Sequence, residues 1–197
     1  MTERRRPARR GQGERLRDEI VEAASQMLAK SGDLSELSLR AVARAVGIAT
    51  TSIYLHFQNI DELVLAVKIR YFADFGAALH SAAEAAGSDP LARARARAHA
   101  YVEFGLTEPG RYFVMFTSET LPAHMLPGVL YLGVEVFEEV RAEVAAVLRP
   151  EEDANLRAIH FWTALHGIVT LRSLRPNFPW PDLEAQIDDL IAQLLHP

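Results

Sequence analysis

Cysteine is absent from the 197 residues, which excludes disulfide scaffolds, thiolate zinc sites and cysteine nucleophiles together. No run approaches the roughly 18 apolar residues that a membrane span requires. The opening stretch, MTERRRPARRGQGERLRDEI, has no apolar core behind its arginines and so does not read as a secretory signal. A soluble, cytoplasmic chain without a membrane partner is the expectation. Also missing are a phosphate-cradling glycine loop, a GxSxG elbow and an HExxH pair, so neither enzymatic activity nor a cofactor is expected. The i, i+4 pairs His80 with Glu84 and His99 with Glu103 lack a third ligand and read as solvated helix surface, which leaves no metal site. Glu151 beside Glu152 and Asp188 beside Asp189 fall at helix starts or on exposed faces, where nothing raises a carboxyl pKa.

What the chain does have is enough apolar residue for a packed core: 49% hydrophobic against 24% charged. The net charge of -5 hides an asymmetry. Residues 1–70 hold 12 Lys+Arg and 9 Asp+Glu, whereas residues 71–197 hold 9 and 17. Arg4, Arg5, Arg6, Arg9 and Arg10 lie in the first ten residues beside Pro7 and Gly11, which predicts a flexible basic arm over 1–13.

Helical periodicity runs throughout, without strand alternation. Leu16, Ile20, Ala23, Ala24, Met27 and Leu28 form one stripe before Gly32. Ser38 can cap a short helix carrying Leu39, Val42, Ala43 and Val46, which Gly47 ends. Thr50 to His56 predicts a third helix, too short to stand alone. Asn59 with Glu62 resembles a capping box opening a fourth, whose apolar row runs from Leu63 to Leu79, about 40 Å of rod reaching Gly87. Further helices are predicted from Leu91 to Thr107, Pro109 to Phe116, Pro127 to Leu148, Glu152 to Leu174 and Pro181 to Leu195. The run LARARARAHA reads as a solvated face. Leu156, Ile159, Phe161, Trp162, Leu165, Ile168, Val169 and Leu171 predict that the next-to-last helix is buried all round.

Two helices joined by a short glycine-containing turn have the form of a helix-turn-helix, whose second helix enters the major groove. Ala43 is small where the helices cross, Gly47 can take a positive φ, and Ile48 and Ile53 plug the corner. Ala49, Thr50, Thr51, Ser52 and Leu55 are left outward, with hydroxyls and methyls that suit base edges. The stretch LSLRAVARAVGIATTSIYLHFQNIDEL, residues 37–63, resembles the DNA-binding domain of the TetR family of one-component transcriptional regulators. The resemblance rests on Ser38, Ala43, Gly47-Ile48, Ile53-Tyr54-Leu55-His56-Phe57 and Asn59 to Leu63. It implies that Tyr54 and His56 contact phosphates, that Thr50, Thr51 and Ser52 face bases, and that Arg40 and Arg44 approach the DNA backbone. Leu55 and Ile60 stand where basic residues are frequent, and the arginine arm is expected to compensate for them.

Residues 91–197 resemble the family's ligand-binding and dimerisation domain, in the variant with a Trp-His-Gly tripeptide, here Leu165-His166-Gly167. An all-α protein is therefore expected, with a helix-turn-helix domain over 14–58 and a ligand-binding and dimerisation domain over 59–197, of which 59–87 is the connecting helix. Tyr101, Phe104, Tyr112, Phe113, Phe116, Phe137, His160, Phe161, Trp162 and His166 concentrate the aromatic side chains and are expected to line a largely apolar inducer pocket. Trp162, Leu165, Val169, Leu183, Ile187, Leu190, Ile191 and Leu194 are expected to build a homodimer interface. The resemblance implies a dimeric repressor on a pseudo-palindromic, double-stranded operator, released by a small-molecule inducer. A helical-bundle enzyme or carrier without sequence-specific DNA binding remains open on the residues alone, as does an arm-driven binder of any duplex.

Overall fold

The computed structural model describes residues 12–116 and 132–195. The five arginines of the expected arm, and residues 127–131 at the expected start of the seventh helix, lie outside the described residues. Among the described residues there are nine α-helices, one turn of 3-10 helix and no strand. None of the described helices is long and apolar enough to cross a membrane.

Helix α1 (Gln12–Ser31) buries Ile20, Val21, Ala24 and Leu28 along one stripe. Asp33 Oδ1 then accepts the Ser35 amide and starts a 3-10 turn, Leu34–Glu36. Ser38 Oγ accepts the Ala41 amide to open α2 (Leu39–Val46), and Gly47, at φ 76°, closes it. Helix α3 is only Thr50–Ile53, with Tyr54 as its cap, so it is shorter than its expected extent to His56. Residues 54–56 continue as a turn pinned by the His56 and Phe57 amides, both donating to the Ile53 carbonyl.

Helix α4 (Ile60–Ala85) opens on Asn59, whose side chain accepts the Glu62 amide at 2.9 Å. The Glu62 carboxylate accepts from the Gln58 amide rather than from Asn59, a one-residue variation on the reciprocal cap. Its buried row is the expected one, Leu63, Val64, Val67, Tyr71, Phe75 and Leu79. Tyr71 also donates its hydroxyl to the Ser25 carbonyl of α1 at 2.5 Å.

Helices α5 (Pro90–Thr107), α6 (Pro109–Phe116), α7 (Val134–Val147), α8 (Ala154–Leu174) and α9 (Leu183–Leu194) complete the fold. Helix α5 is central, packing on α4, α6, α7, α8 and α9. It meets α8 so closely that a Cβ on Gly105 would stand 2.4 Å from Val169 Cγ1. Helix α6 packs its first turn on the end of α1, where a Cβ on Gly110 would stand 2.3 Å from the Ala29 carbonyl oxygen.

Two expectations are corrected. The alternating Ala-Arg run is not a solvated face: Arg97 is 2% exposed and Ala94 and Ala98 are buried, because Arg93 and Arg97, four residues apart, share the inward side of α5 and meet carboxylates on α7. Nor is α8 buried all round within one chain. Ala158, Phe161, Leu165, Ile168 and Val169 face the core, while Leu156, Leu171 and Leu174 are exposed on the opposite side and Ile159, 37% exposed, lies between the two.

Candidate functional site

The α2–α3 corner is held by its own backbone: the Gly47 amide donates to Arg44 O and the Ile48 amide to Ala43 O at 2.9 Å. Ala43, Ile53 and Phe57 are buried beneath it, and Ile48 packs at the edge of the same core. The Arg17 guanidinium covers the Phe57 ring at 4.8 Å. With Ile53 and Phe57 turned inward, the outward surface carries Thr51, Tyr54 (52% exposed) and Leu55 (81% exposed), flanked by half-buried Thr50, Ser52 and His56. Arg40 and Arg44 are exposed on α2, one helical turn apart. The result is a hydroxyl- and methyl-bearing ridge beside two cations, a surface whose groups match base edges and phosphates.

The second feature is a partly open cavity of about 450 Å³ bounded by α4 to α8. Helix α4 contributes Phe72, Phe75 and Leu79; α5 contributes Arg97, Ala98 and Tyr101; α6 contributes Met115 and Phe116. Val136, Phe137 and Val140 of α7 and Ile159, Phe161, Trp162 and Leu165 of α8 close the far side. Edge-to-face pairs stiffen the walls: Phe75 with Tyr101 at 5.1 Å, Phe72 with Phe116 at 5.7 Å and Phe137 with Trp162 at 6.2 Å. The size falls within the range of small-molecule sites and the lining is overwhelmingly apolar.

Behind Tyr101 runs a chain of polar contacts. Trp162 Nε1 donates to the Tyr101 hydroxyl at 3.2 Å, the Tyr101 and Tyr112 hydroxyls are 2.9 Å apart, and the Tyr112 hydroxyl is 2.6 Å from His166 Nδ1. If Trp162 donates to Tyr101, each hydroxyl can pass one proton onward and His166 Nδ1 accepts the last, with its own proton on Nε2. Burial pushes the Tyr101 phenol up to about 12 and raises that of Tyr112 further, so both stay protonated. Burial also lowers the His166 imidazole below its ordinary value, which keeps it neutral.

Of the ten residues expected around an inducer, Tyr101, Phe116, Phe137, Phe161 and Trp162 line the cavity. Phe104 stands behind Phe75, and Tyr112 and His166 form the layer behind Tyr101. Phe113 is half-buried against Tyr112, and His160 is exposed on the outer side of α8. Sequence reasoning missed the α4 wall and Arg97. The signal for Arg97 was the match between Arg93/Arg97 and Glu139/Glu143, two oppositely charged pairs at the same spacing.

Among the residues expected at a dimer interface, Leu165, Val169, Ile187 and Ile191 are buried in the chain's own core, and Leu183, Leu190 and Leu194 pack partly against it. In the single chain the first four face inward, whereas Leu183, Leu190 and Leu194 keep part of their surface exposed. Trp162 is 41% exposed. Among the described residues, no group of three or more His, Asp or Glu side chains is arranged to hold a metal ion.

A family model described as "Tetracyclin repressor-like, C-terminal domain" matches residues 94–196, just over half of the chain. One described as "Bacterial regulatory proteins, tetR family" matches residues 20–67. A protein of unknown function from Rhodococcus sp. RHA1 is 26% identical, with 97% of this chain and 100% of that one aligned at a TM-score of 0.74. The fatty acid degradation regulator FadR from Bacillus halodurans is 17% identical, with 91% and 94% of the two chains covered at a TM-score of 0.72. AibR, solved in complex with isovaleryl coenzyme A and operator DNA, is 17% identical over 92% and 98% of the chains at a TM-score of 0.66.

Proposed function

The chain belongs to the tetR family of bacterial regulatory proteins, and from that premise we propose that it is a dimeric, cytoplasmic transcriptional repressor released from a pseudo-palindromic operator by a largely apolar inducer. The observation that carries this reading is the seating of α6. That helix contributes Met115 and Phe116 to the cavity and rests its Gly110 backbone on Ala29 of α1. A ligand that moves α6 therefore pushes directly on the helix that supports the α2–α3 corner, trading operator affinity for ligand affinity.

On DNA, Thr50, Thr51 and Ser52 read bases, Tyr54 and His56 hold phosphates, and Arg40 and Arg44 steer the backbone, with recognition helices of the two protomers about 34 Å apart. The DNA-binding unit spans 14–58 behind a basic arm over 1–13, and 59–197 form the ligand-binding and dimerisation unit. Exposed Leu156, Ile159, Leu171 and Leu174, beside small Thr163 and Gly167, supply the apolar stripe through which two copies of α8 pack. Two neighbours support a ligand with a hydrocarbon portion, since FadR is a regulator of fatty acid degradation and AibR was solved with isovaleryl coenzyme A.

The test is fluorescence anisotropy with duplex from the upstream intergenic region against scrambled duplex. Tyr54→Ala should weaken binding to the native duplex by tenfold or more while leaving melting temperature and oligomeric state unchanged. Equal binding of wild type to both duplexes would overturn the operator reading.

A further inference from the structure

Arg97 lies in the wall of an otherwise apolar cavity and is 2% exposed. Its guanidinium is a planar fork whose nitrogens have separate fates. Nε donates to both oxygens of Glu143, at 3.1 and 2.9 Å, and Nη2 donates to Glu139 at 2.5 Å. Both carboxylates belong to α7, so one edge of the fork is occupied. Nη1 is buried and has no hydrogen-bond partner. The other polar groups of the cavity's described lining are satisfied: Trp162 Nε1 and the Tyr101 hydroxyl bond one another and the layer behind. Among the described cavity-lining side chains, Arg97 alone retains an unmet donor.

The positive charge of Arg97 is already more than offset by the carboxylates around it. Glu143 also takes the Arg93 Nε at 3.0 Å, Arg93 Nη2 pairs with Glu84 at 2.8 Å, and His80 Nδ1 lies 3.4 Å from Glu139. Two guanidinium cations thus face three carboxylates. An incoming anion would gain one hydrogen bond but meet like charge on buried Glu143 and, more weakly, on the half-exposed Glu139. An uncharged oxygen would gain the same bond without that repulsion, and it would relieve a donor whose unpaired burial is costly.

We propose that the cavity selects a predominantly apolar molecule carrying one uncharged oxygen acceptor, of the ketone, ester or lactone class, whose oxygen is bound by Arg97 Nη1. This rests on the reading of the cavity as the inducer site and narrows the chemistry of what enters it. It also gives α5 and α7 a shared interest in the ligand, because the carboxylates that orient Arg97 are carried by the helix that supplies Val136, Phe137 and Val140 to the wall.

Three probes of matched length test it: methyl heptyl ketone, nonane and nonanoate, titrated into the full chain and followed by tryptophan fluorescence and calorimetry. The ketone should bind at least about tenfold tighter than nonane, the factor expected for a hydrogen bond from a charged donor, and tighter than nonanoate. In Arg97→Lys, which keeps the charge opposite Glu139 and Glu143 but loses the second arm of the fork, the ketone preference should collapse while nonane binding stays. Equal binding of ketone and nonane to wild type, or tightest binding of nonanoate, overturns the proposal and leaves the inducer-site reading standing. Binding of none of the three overturns both. A preference retained in a folded Arg97→Lys removes Arg97 from the role, and should that variant fail to fold, the wild-type comparison still decides.

Discussion

His166 ends a polar chain that begins on the cavity wall, and its neutrality follows from burial. A histidine whose folded pKa lies below the ordinary 6.5 contributes stability that is present above that value and lost as pH falls through the folded pKa. The melting temperature should therefore drop as pH is lowered below 6.5, before the carboxylates titrate. His166→Gln, which keeps an acceptor for Tyr112 but cannot take up a proton, should flatten that part of the profile; an unchanged profile would remove His166 as its source. At this scale the aromatic lining was legible in part, because Tyr101, Phe116, Phe137, Phe161 and Trp162 cluster in the chain as they do in space. His160 misled because adjacency in sequence says nothing of which side of a helix a residue takes: it follows Ile159 but points to solvent. Arg97 was hidden for the same reason, since an Ala-Arg alternation looks uniform until helical pitch separates inward Arg97 from Arg95, which pairs with Asp188 of α9.

Helix α6 is eight residues long and connects two unlike surfaces. Its seat on α1 tolerates only glycine at position 110, since a Cβ there would fall inside contact distance of backbone, which yields far less readily than a side chain. Gly110→Ala should cost about 1–3 kcal/mol by overpacking, read as a lower urea midpoint, and should alter operator affinity in the absence of ligand. A midpoint equal to wild type would show that α6 does not bear on α1. Helix boundaries were readable wherever a side chain caps them: Ser38, Asn59, Asp89 and Asp182 each accept an amide at or near the expected start. The end of α3 was not, because nothing in Tyr54-Leu55-His56 stops a helix locally; the burial of Ile53 and Phe57 sets the chain's path there.

For the whole molecule, the exposed side of α8 matters most. An all-apolar pattern predicted a helix buried on every side, and the single chain covers only one of them, because a sequence does not say whether apolar surface is covered from within or by another copy. The dimer proposal places Leu171, 51% exposed, in a two-fold interface. Leu171→Glu should give a monomer of unchanged helicity in sedimentation velocity, with weakened operator binding; a variant that sediments as wild type would move the interface elsewhere. The close crossing at Gly105 and Val169 has a separate consequence. It lies one turn beyond Tyr101 on α5 and Leu165 on α8, so those two helices cannot slide past each other without collision. As the proposed inducer site, the cavity would gauge its occupant as a caliper with one fixed jaw: girth would register at the α6 and α7 side, and a molecule too slim to reach that side would enter without being reported.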